Sequence, residues 1–518
     1  MKTRVIFIFG LVAVIVADTA YAAQSREDRL KQLFDRTDTD QDGLVSSLEN
    51  WSEWQRFFFE KDDNNDRFLD RDEVVNESHL FADSNGDGKV DLSEEKVFRQ
   101  MHFNTKDLDG DGFLSLAELT GLSQQPVEPF DSKHSGSYDV MRAKVEALGD
   151  MVQRPMAYRD GSYENTEHMQ AIYIDGLTYE GKPTKFFGWL GIPENLTKPA
   201  PGIILVHGGG GTAYKEWVQK WNDQGFIAFS IAVEGQTDVF VEAQASQGSW
   251  ERHQWAGPSR NGIYGDSDRA IEDQWMYHAV ANSILANSFL RDVPEVDPQQ
   301  IGIMGISWGG VIASTVIGID DRFAFAIPTY GCGGLARADN QYGRTLSRNP
   351  IYKEVWEPNL RLEQVLFPTL WLSWPGDQHF PMDSLKSSYR AVSAPAAVSL
   401  IPDMQHSHPA AWKRPEAYAF ARSVVSGNDT WGRNLNIRLV DGVVKASFKT
   451  DKPIQSATLV WTQGDGFTAG RTWLEAPAEF QNKNSACAVS VKLPAGATAA
   501  YINIESDGLV MSSPYLEI

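Results

Sequence analysis

Ser307 stands in the run Gly305-Ile306-Ser307-Trp308-Gly309-Gly310, with the apolar stretch Ile301-Gly302-Ile303-Met304 before it and a segment of helical period from Val311 to Ile317 behind it. A serine hydroxyl is a weak nucleophile that becomes reactive when an imidazole takes its proton and a carboxylate orients that imidazole. Glycines two places before and two places after the serine suit a tight strand-to-helix turn, where side chains would clash and the hydroxyl is held proud of a sheet. The chemistry such a residue serves is acyl transfer.

The partners are expected in the chain order serine, acid, histidine, each just past the end of a strand. The strand-like run from Phe367 to Trp374 leads into Pro375-Gly376-Asp377, which puts Asp377 on the required loop. Asp383 is a nearby rival, better suited to capping a helix that starts at Ser384. The next strand-like run, Ala397 to Pro402, opens onto Asp403-Met404-Gln405-His406-Ser407-His408, so the base is His406 or His408. His406, nearer the strand end, is preferred, with the other histidine lining the pocket or supporting it. Backbone N–H groups of Trp308 and of Gly209 or Gly210 are the expected donors to a developing oxyanion.

These residues need a frame. From about Tyr138 to Val425 apolar strand-like runs alternate with amphipathic helical ones, the pattern of an α/β unit on a mainly parallel sheet. Its first core strand, Gly202 to Val206, ends in His207-Gly208-Gly209-Gly210-Gly211, where the lack of side chains lets the backbone approach a ligand. The catalytic unit is placed at 138–426. An insert from Gln236 to Asp266 carries Trp250, His253, Trp255 and Tyr264, either as faces for sugar rings or as the packing of a lid.

The stretch Ile204 to Trp217, the turn around Ser307, Asp320-Asp321-Arg322-Phe323, Tyr330-Gly331-Cys332-Gly333, Pro381-Met382-Asp383-Ser384 and Met404-x-His-x-His resemble acetyl xylan esterase-like and dienelactone hydrolase-like members of the α/β-hydrolase fold. The resemblance implies a serine carboxylesterase that removes acyl groups, acetyl above all, from carbohydrate or a related small ester without a cofactor. The dienelactone hydrolases use a cysteine nucleophile, whereas this chain has Ser307, which favours the esterase.

The chain is acidic, with a formal net charge of −22, which disfavours nucleic acid as a partner. Residues 24–125 hold 25 acidic against 12 basic residues, so much of the excess is local. The pattern there is that of calcium loops with oxygen ligands at positions 1, 3, 5 and 12. It occurs four times: Asp38, Asp40, Asp42, Glu49; Asp62, Asn64, Asp66, Glu73; Asp83, Asn85, Asp87, Glu94; and Asp107, Asp109, Asp111, Glu118. The second loop has Arg67 where glycine supplies a positive φ, so it is strained or reshaped and is the weakest of the four. Intervals between loops leave room for one helix of two to three turns each. The array, placed at 24–122, resembles EF-hand loops at dockerin-like spacing. That implies structural calcium and a docking surface for a partner rather than a helix-opening switch.

A Pro-, Ser- and Gly-containing linker occupies 123–137, and beyond Gly427 short alternating strands predict a small β-sandwich over 427–518. This tail either binds carbohydrate or covers the hydrolase, the latter being preferred. At the N-terminus Met1-Lys2-Thr3-Arg4, an apolar run from Val5 to Ala17 and Ala20-Tyr21-Ala22 form the pattern of a signal peptide, 1–23, so the mature chain is expected to be secreted or periplasmic and free of the membrane. Export permits a bond between Cys332 and Cys487 without requiring one. Two other readings stay open: a serine peptidase of the prolyl-oligopeptidase type, and a non-catalytic calcium-dependent scaffold or adhesion protein. The absence of a propeller-like repeat disfavours the first and an apparently complete triad the second.

Overall fold

A computed structural model describes residues 26–39, 44–62, 64, 66–70, 73, 82, 89–106, 113–116, 138–241, 249–427, 432–450, 452–483 and 485–518. The predicted signal peptide and linker lie outside these residues. The described residues fall into two compact units, one within Met1–Glu128 and Phe240–Ser249, the other within Pro129–Val239 and Trp250–Ile518. Among them no helix is long and apolar enough to cross a membrane.

The first unit contains helices α1 (Arg26–Thr37), α2 (Ser47–Lys61) and α3 (Leu92–Lys106) and the short strands β1 (Leu44–Ser46), β2 (Phe68–Leu69), β3 (Val90–Asp91) and β4 (Phe113–Ser115). α2 runs from the end of the first loop to the start of the second, so one helix serves both loops. At 15 residues it is about four turns rather than the two to three expected, because it starts inside the loop, at a capping box between Ser46 and Glu49. The loops pair through the apolar residue at position 8: β1 lies antiparallel to β4 with Val45 opposite Leu114, and β2 to β3 with Leu69 opposite Val90. The first loop thus pairs with the fourth and the second with the third. Two small cores follow, one of Phe34, Val45, Phe103 and Leu114, the other of Phe58, Leu69, Ala82 and Val90.

The second unit begins with α4 (Tyr138–Glu146) and the strands β5 (Ala157–Arg159), β6 (Met169–Asp175), β7 (Lys185–Gly191) and β8 (Ala200–Val206). There follow α5 (Lys215–Asn222), β9 (Ile227–Ile231), the insert strands β10 (Gln236–Val241) and β11 (Ser249–Arg252), of which Phe240, Val241 and Ser249 fall in the first unit, then α6 (Trp275–Leu290), β12 (Val296–Ile306), α7 (Trp308–Val316) and β13 (Phe325–Thr329). Beyond these come α8 (Gln341–Leu346), β14 (Thr369–Ser373), α9 (Met382–Ala391), β15 (Ala396–Leu400), α10 (His408–Trp412) and α11 (Pro415–Ser426). The pairs β8 with β9, β8 with β12, β12 with β13, β13 with β14 and β14 with β15 are all parallel, while β5, β6 and β7 continue the sheet antiparallel. The parallel strands are buried through the middle of the sheet, as at Ile203, Ile204, Leu205 and Val206 and over residues 301–306 of β12, because helices cover both faces. This is the expected α/β-hydrolase architecture.

The tail supplies β16 (Arg433–Val440), β17 (Val443–Lys449), β18 (Ser456–Thr462), β19 (Leu474–Pro477), β20 (Glu479–Lys483), β21 (Ala486–Lys492), β22 (Ala499–Ser506), β23 (Leu509–Ser512) and β24 (Leu516–Glu517). One layer is the sheet β16-β17-β21-β20; the strands β18, β19, β22, β23 and β24 form the other, in keeping with a β-sandwich. The second layer is continuous with the hydrolase sheet, since β23 lies antiparallel to β15 with Val398 opposite Ser512. Leu400 N–H donates to Ser512 Oγ at 2.7 Å and Ser399 Oγ to the Val510 carbonyl at 2.6 Å. The tail therefore satisfies backbone groups that an open edge strand would leave bare, and within its compact unit it covers the hydrolase. Cys332 and Cys487 are buried free thiols.

Candidate active site

β12 ends at Ile306 and α7 begins at Trp308, leaving Ser307 as the single residue of the turn, with φ 58° and ψ −120°. Such a conformation is strained for a residue with a Cβ and is held by its surroundings. Ser307 N–H donates to the Thr329 carbonyl at 2.9 Å, tying the turn to β13. The flanking glycines are required by space: a Cβ on Gly305 would lie 1.9 Å from the Gly309 carbonyl oxygen, and one on Gly309 would lie 2.0 Å from that of Val206.

His406 and Asp377 reach this hydroxyl. His406 Nε2 is 2.9 Å from Ser307 Oγ and its Nδ1 is 2.8 Å from Asp377 Oδ2. Asp377, fully buried on the loop after β14, also accepts at Oδ1 from the N–H groups of His379 at 2.9 Å and Phe380 at 2.8 Å. Burial alone would raise its pKa, but the His406 ring, His379 and the Phe380 N–H more than offset that, and the carboxyl is held below its ordinary value. The imidazole is fixed from both sides, with the Tyr330 ring 4.4 Å away and Phe380 stacked at 6.0 Å.

His408 is not brought to Ser307. Its Nε2 accepts from the Gly208 N–H at 2.8 Å, and its ring lies against Tyr214 and Trp412. Acting as an acceptor in a desolvated setting, it is pushed down to about 3. Asp383 likewise stays out of the hydrogen-bonded set. It lies inside the first turn of α9, which starts at Met382 with Pro381 as its cap, two residues earlier than the sequence predicts.

The glycine-rich turn after β8 is pinned at several points. Gly211 N–H donates to the Gly208 carbonyl at 3.1 Å, closing a turn in which Gly210 takes φ 69°. His207, fully buried, has Nδ1 2.7 Å from the Gly208 carbonyl and Nε2 accepting from Val233 N–H at 3.1 Å. Gln236 Nε2 donates to the Gly211 carbonyl at 2.8 Å, and Trp250 Nε1 to that of Gly210 at 2.9 Å. With Gly208 N–H engaged by His408, the predicted donors Gly209 and Gly210 remain, and Gly209 lies so near Trp308 that an added Cβ would be 3.0 Å from the indole Cδ1. The Trp308 indole is anchored among Tyr264, Trp275 and Tyr342, which fixes the first turn of α7, where N–H groups lack intrahelical acceptors.

The insert aromatics divide. Tyr264 is buried against Trp308 and Tyr352, His253 lies edge-on to Tyr173, Trp250 holds the glycine turn, and Trp255 is exposed. The roles of His207, Gln236 and Trp250 are absent from the sequence-based expectations; the histidine directly before four glycines was the one available signal.

In the first unit Asp62, Asp66 and Glu73 bring carboxylate oxygens within 4.8 Å of one another. Arg67 adopts φ 68°, so the turn is strained rather than reshaped, and its N–H donates to Asp62 Oδ2 at 3.0 Å. Glu73 spans the loop, accepting from Asn64 N–H at 3.2 Å and Asp70 N–H at 3.3 Å. Glu49 does the same in the first loop, between Thr39 and Ser46. Although burial opposes it, these donors draw its pKa down to about 2. Such anionic oxygen sets fit a hard cation. Asp40, Asp42, Asp83, Asn85, Asp87, Asp107, Asp109, Asp111 and Glu118 lie outside the described residues.

Residues 158–332 match the family model for acetyl xylan esterase, and residues 102–123 match one for the EF hand. No curated protein matches the sequence. Solved structures similar to the chain include the acetyl xylan esterase from Paenibacillus sp. R4, 19% identical over 57% of this chain and 95% of that one, with a TM-score of 0.44. Acetyl xylan esterase 1 from Thermoanaerobacterium sp. JW/SL YS485 is 15% identical over 52% and 88%, with a TM-score of 0.42. The acylaminoacyl peptidase of Pyrococcus horikoshii is 17% identical over 51% and 42%, with a TM-score of 0.37. Within an α/β-hydrolase fold the chain thus has a segment that matches the acetyl xylan esterase family model, and ahead of it one that matches the EF hand; it is a serine hydrolase of the carboxylic ester class.

Proposed function

We propose that the chain is a secreted carboxylesterase that deacetylates carbohydrate or a related small ester through an acyl-enzyme on Ser307. The observation that carries this is the unbroken relay from Asp377 through His406 to Ser307, at 2.8 Å and 2.9 Å, on a strained turn. In this reading His406 takes the Ser307 proton as Oγ attacks the ester carbonyl, then returns it to the leaving alcohol. Asp377 holds the tautomer with Nε2 free to accept and stabilises the imidazolium that forms. The N–H groups of Trp308 and Gly209 receive the oxyanion, a contribution of about 3 kcal/mol for each donor. In the second half a water attacks the acyl carbonyl as His406 takes its proton, and His406 then gives that proton to Ser307 Oγ as the carbon–Oγ bond breaks, which releases the acid and restores the serine.

Calcium is proposed as a structural ligand of the N-terminal loops, supported by the carboxylate cluster of Asp62, Asp66 and Glu73 and by the EF-hand match. Binding would then add to the stability of that unit. A docking partner for the array is part of the same proposal. Export to the periplasm or beyond is proposed from the basic, apolar and small-residue pattern at the N-terminus.

The test is turnover of 4-nitrophenyl acetate and of acetylated xylo-oligosaccharides by the full chain and by Ser307→Ala. Loss of both activities in the variant supports the assignment. Equal turnover by variant and wild type, or cleavage of peptides in place of esters, overturns it.

A further inference from the structure

Arg260 sits at the expected oxyanion pocket, yet the triad chemistry does not use it. Its Nη2 lies 3.1 Å from the position a Cβ would occupy on Gly209, beside the Trp308 Cδ1 at 3.0 Å from the same point. Its guanidinium carbon is 5.2 Å from the Trp308 ring centroid, over the indole. The cation thus lies beside Gly209 and over the indole of Trp308, the two residues whose N–H groups are proposed to hold the reacting carbonyl. Nη1 donates to the Gly262 carbonyl at 2.8 Å, which fixes the plane of the fork. Nε is shut off from solvent without a hydrogen bond, 3.5 Å from Glu234 Oε1, while Nη2 has no hydrogen-bond partner among the described residues. The side chain as a whole keeps 23% of its surface exposed, so a substrate can reach it.

A guanidinium brought this far out of water is costly unless something accepts from it. Glu234 compensates one edge only, and at a distance too long for a good hydrogen bond. The Nη2 edge lies beside Gly209, next to where an ester held by the N–H groups of Gly209 and Trp308 would sit. Neutral acetyl has no second acceptor to offer there, whereas a carboxylate matches the donor in charge and geometry.

We propose that Arg260 is a specificity-determining residue and that the preferred esters carry a carboxylate near the scissile bond. This deepens the esterase reading and rests on it. The carboxylate can belong to the acyl group, as in a dicarboxylic monoester, or to the sugar, as in an acetylated uronic acid. Either source presents the same anion to Nη2.

Two substrate pairs separate the sources: 4-nitrophenyl hydrogen succinate against 4-nitrophenyl acetate, and an acetylated methyl glucuronoside against the acetylated methyl glucoside. The ratio of kcat/KM, anionic to neutral, is measured for wild type, Arg260→Lys and Arg260→Gln. We expect the wild-type ratio to exceed one in one pair and to fall about tenfold in Arg260→Gln, chiefly through KM. Arg260→Lys, which keeps the charge without the fork, should fall between. A merely structural role would depress both members of each pair alike, and an unchanged ratio in both pairs overturns the proposal. If Arg260→Gln does not fold, Arg260→Lys and competitive inhibition of the wild type by succinate and by glucuronate decide: an inhibition constant for neither anion below that of its neutral counterpart overturns it as well. Loss of 4-nitrophenyl acetate turnover in Ser307→Ala keeps the esterase reading standing in either case.

Discussion

The backbone N–H of Gly208 donates to Nε2 of His408 at 2.8 Å, across 200 residues of sequence, and this bond separates the work of two histidines that stand two places apart. His406 faces Ser307, whereas His408 holds the turn that carries Gly209. Replacing His406 with Ala should therefore lower kcat for 4-nitrophenyl acetate by several orders of magnitude with little change in KM. His408→Gln, which retains an acceptor, should cost no more than about tenfold. Steady-state kinetics of the two variants checks this, and the reverse order of effects would reassign the base.

The same bond makes stability depend on pH. His408 must stay neutral to accept from Gly208, and its pKa lies at about 3, against about 6.5 for a free imidazole. The unfolded chain therefore binds a proton below pH 6.5 that the folded chain refuses. Stability from this group is complete above about pH 6.5 and is lost progressively as the pH falls towards 3. Between pH 7 and 5 the loss reaches up to about 2 kcal/mol, reduced by the solvent that touches the outer part of the residue. His207, His253 and His278 are depressed in the same direction by burial. Asp377, depressed as well, adds its loss only at more acid pH, below the ordinary carboxylate range. Thermal unfolding between pH 7 and 4.5 should show a steeper fall of Tm for wild type than for His408→Gln.

Ser307, Asp377 and His406 could be read from the sequence because each is announced locally, by glycine spacing or by the end of an apolar run, and because their chain order is fixed by the fold. Contacts between distant segments were not announced. Nothing near His408 points to Gly208, and Arg260 lies in a loop whose composition carries no pattern. The tail read correctly as short alternating strands, but that β23 pairs with β15 as well as with β22 of its own layer depends on which edge is open, a property of the assembled sheet. The acidic loops showed their repeat and the odd residue Arg67 in sequence, whereas the pairing of the first loop with the fourth depends on chain reversal through segments that no local signal marks.

The turn at Ser307 makes a steric prediction that does not depend on catalysis. An added methyl on Gly305 or Gly309 meets backbone oxygen at 1.9 Å or 2.0 Å, and neither the buried first turn of α7 nor the buried end of β8 can withdraw. Gly305→Ala and Gly309→Ala should each lose at least about 3 kcal/mol of stability. Gly210→Ala is the contrast. Its Cβ would meet nothing within 4 Å, and only the positive φ of 69° opposes it, at about 1 kcal/mol. Urea unfolding of the three variants measures the difference, and equal losses would contradict the geometry of the turn.

Arg67 offers the corresponding test for calcium. A non-glycine residue at φ 68° costs about 1 to 2 kcal/mol, while glycine loses about 0.5 to 1 kcal/mol more entropy on folding. Arg67→Gly should therefore stabilise the closed form of the second loop by up to about 1 kcal/mol, with the N–H to Asp62 retained. Because that closed form is the one in which Asp62, Asp66 and Glu73 converge, calcium affinity at this loop should rise by up to about fivefold. Calorimetric titration of the calcium-free chain, compared with the variant, should show the weakest step tightening while the others stay put. A weakest step that does not move would mean that it belongs to another loop, and the absence of calcium uptake in both chains would remove the metal from the account of this unit.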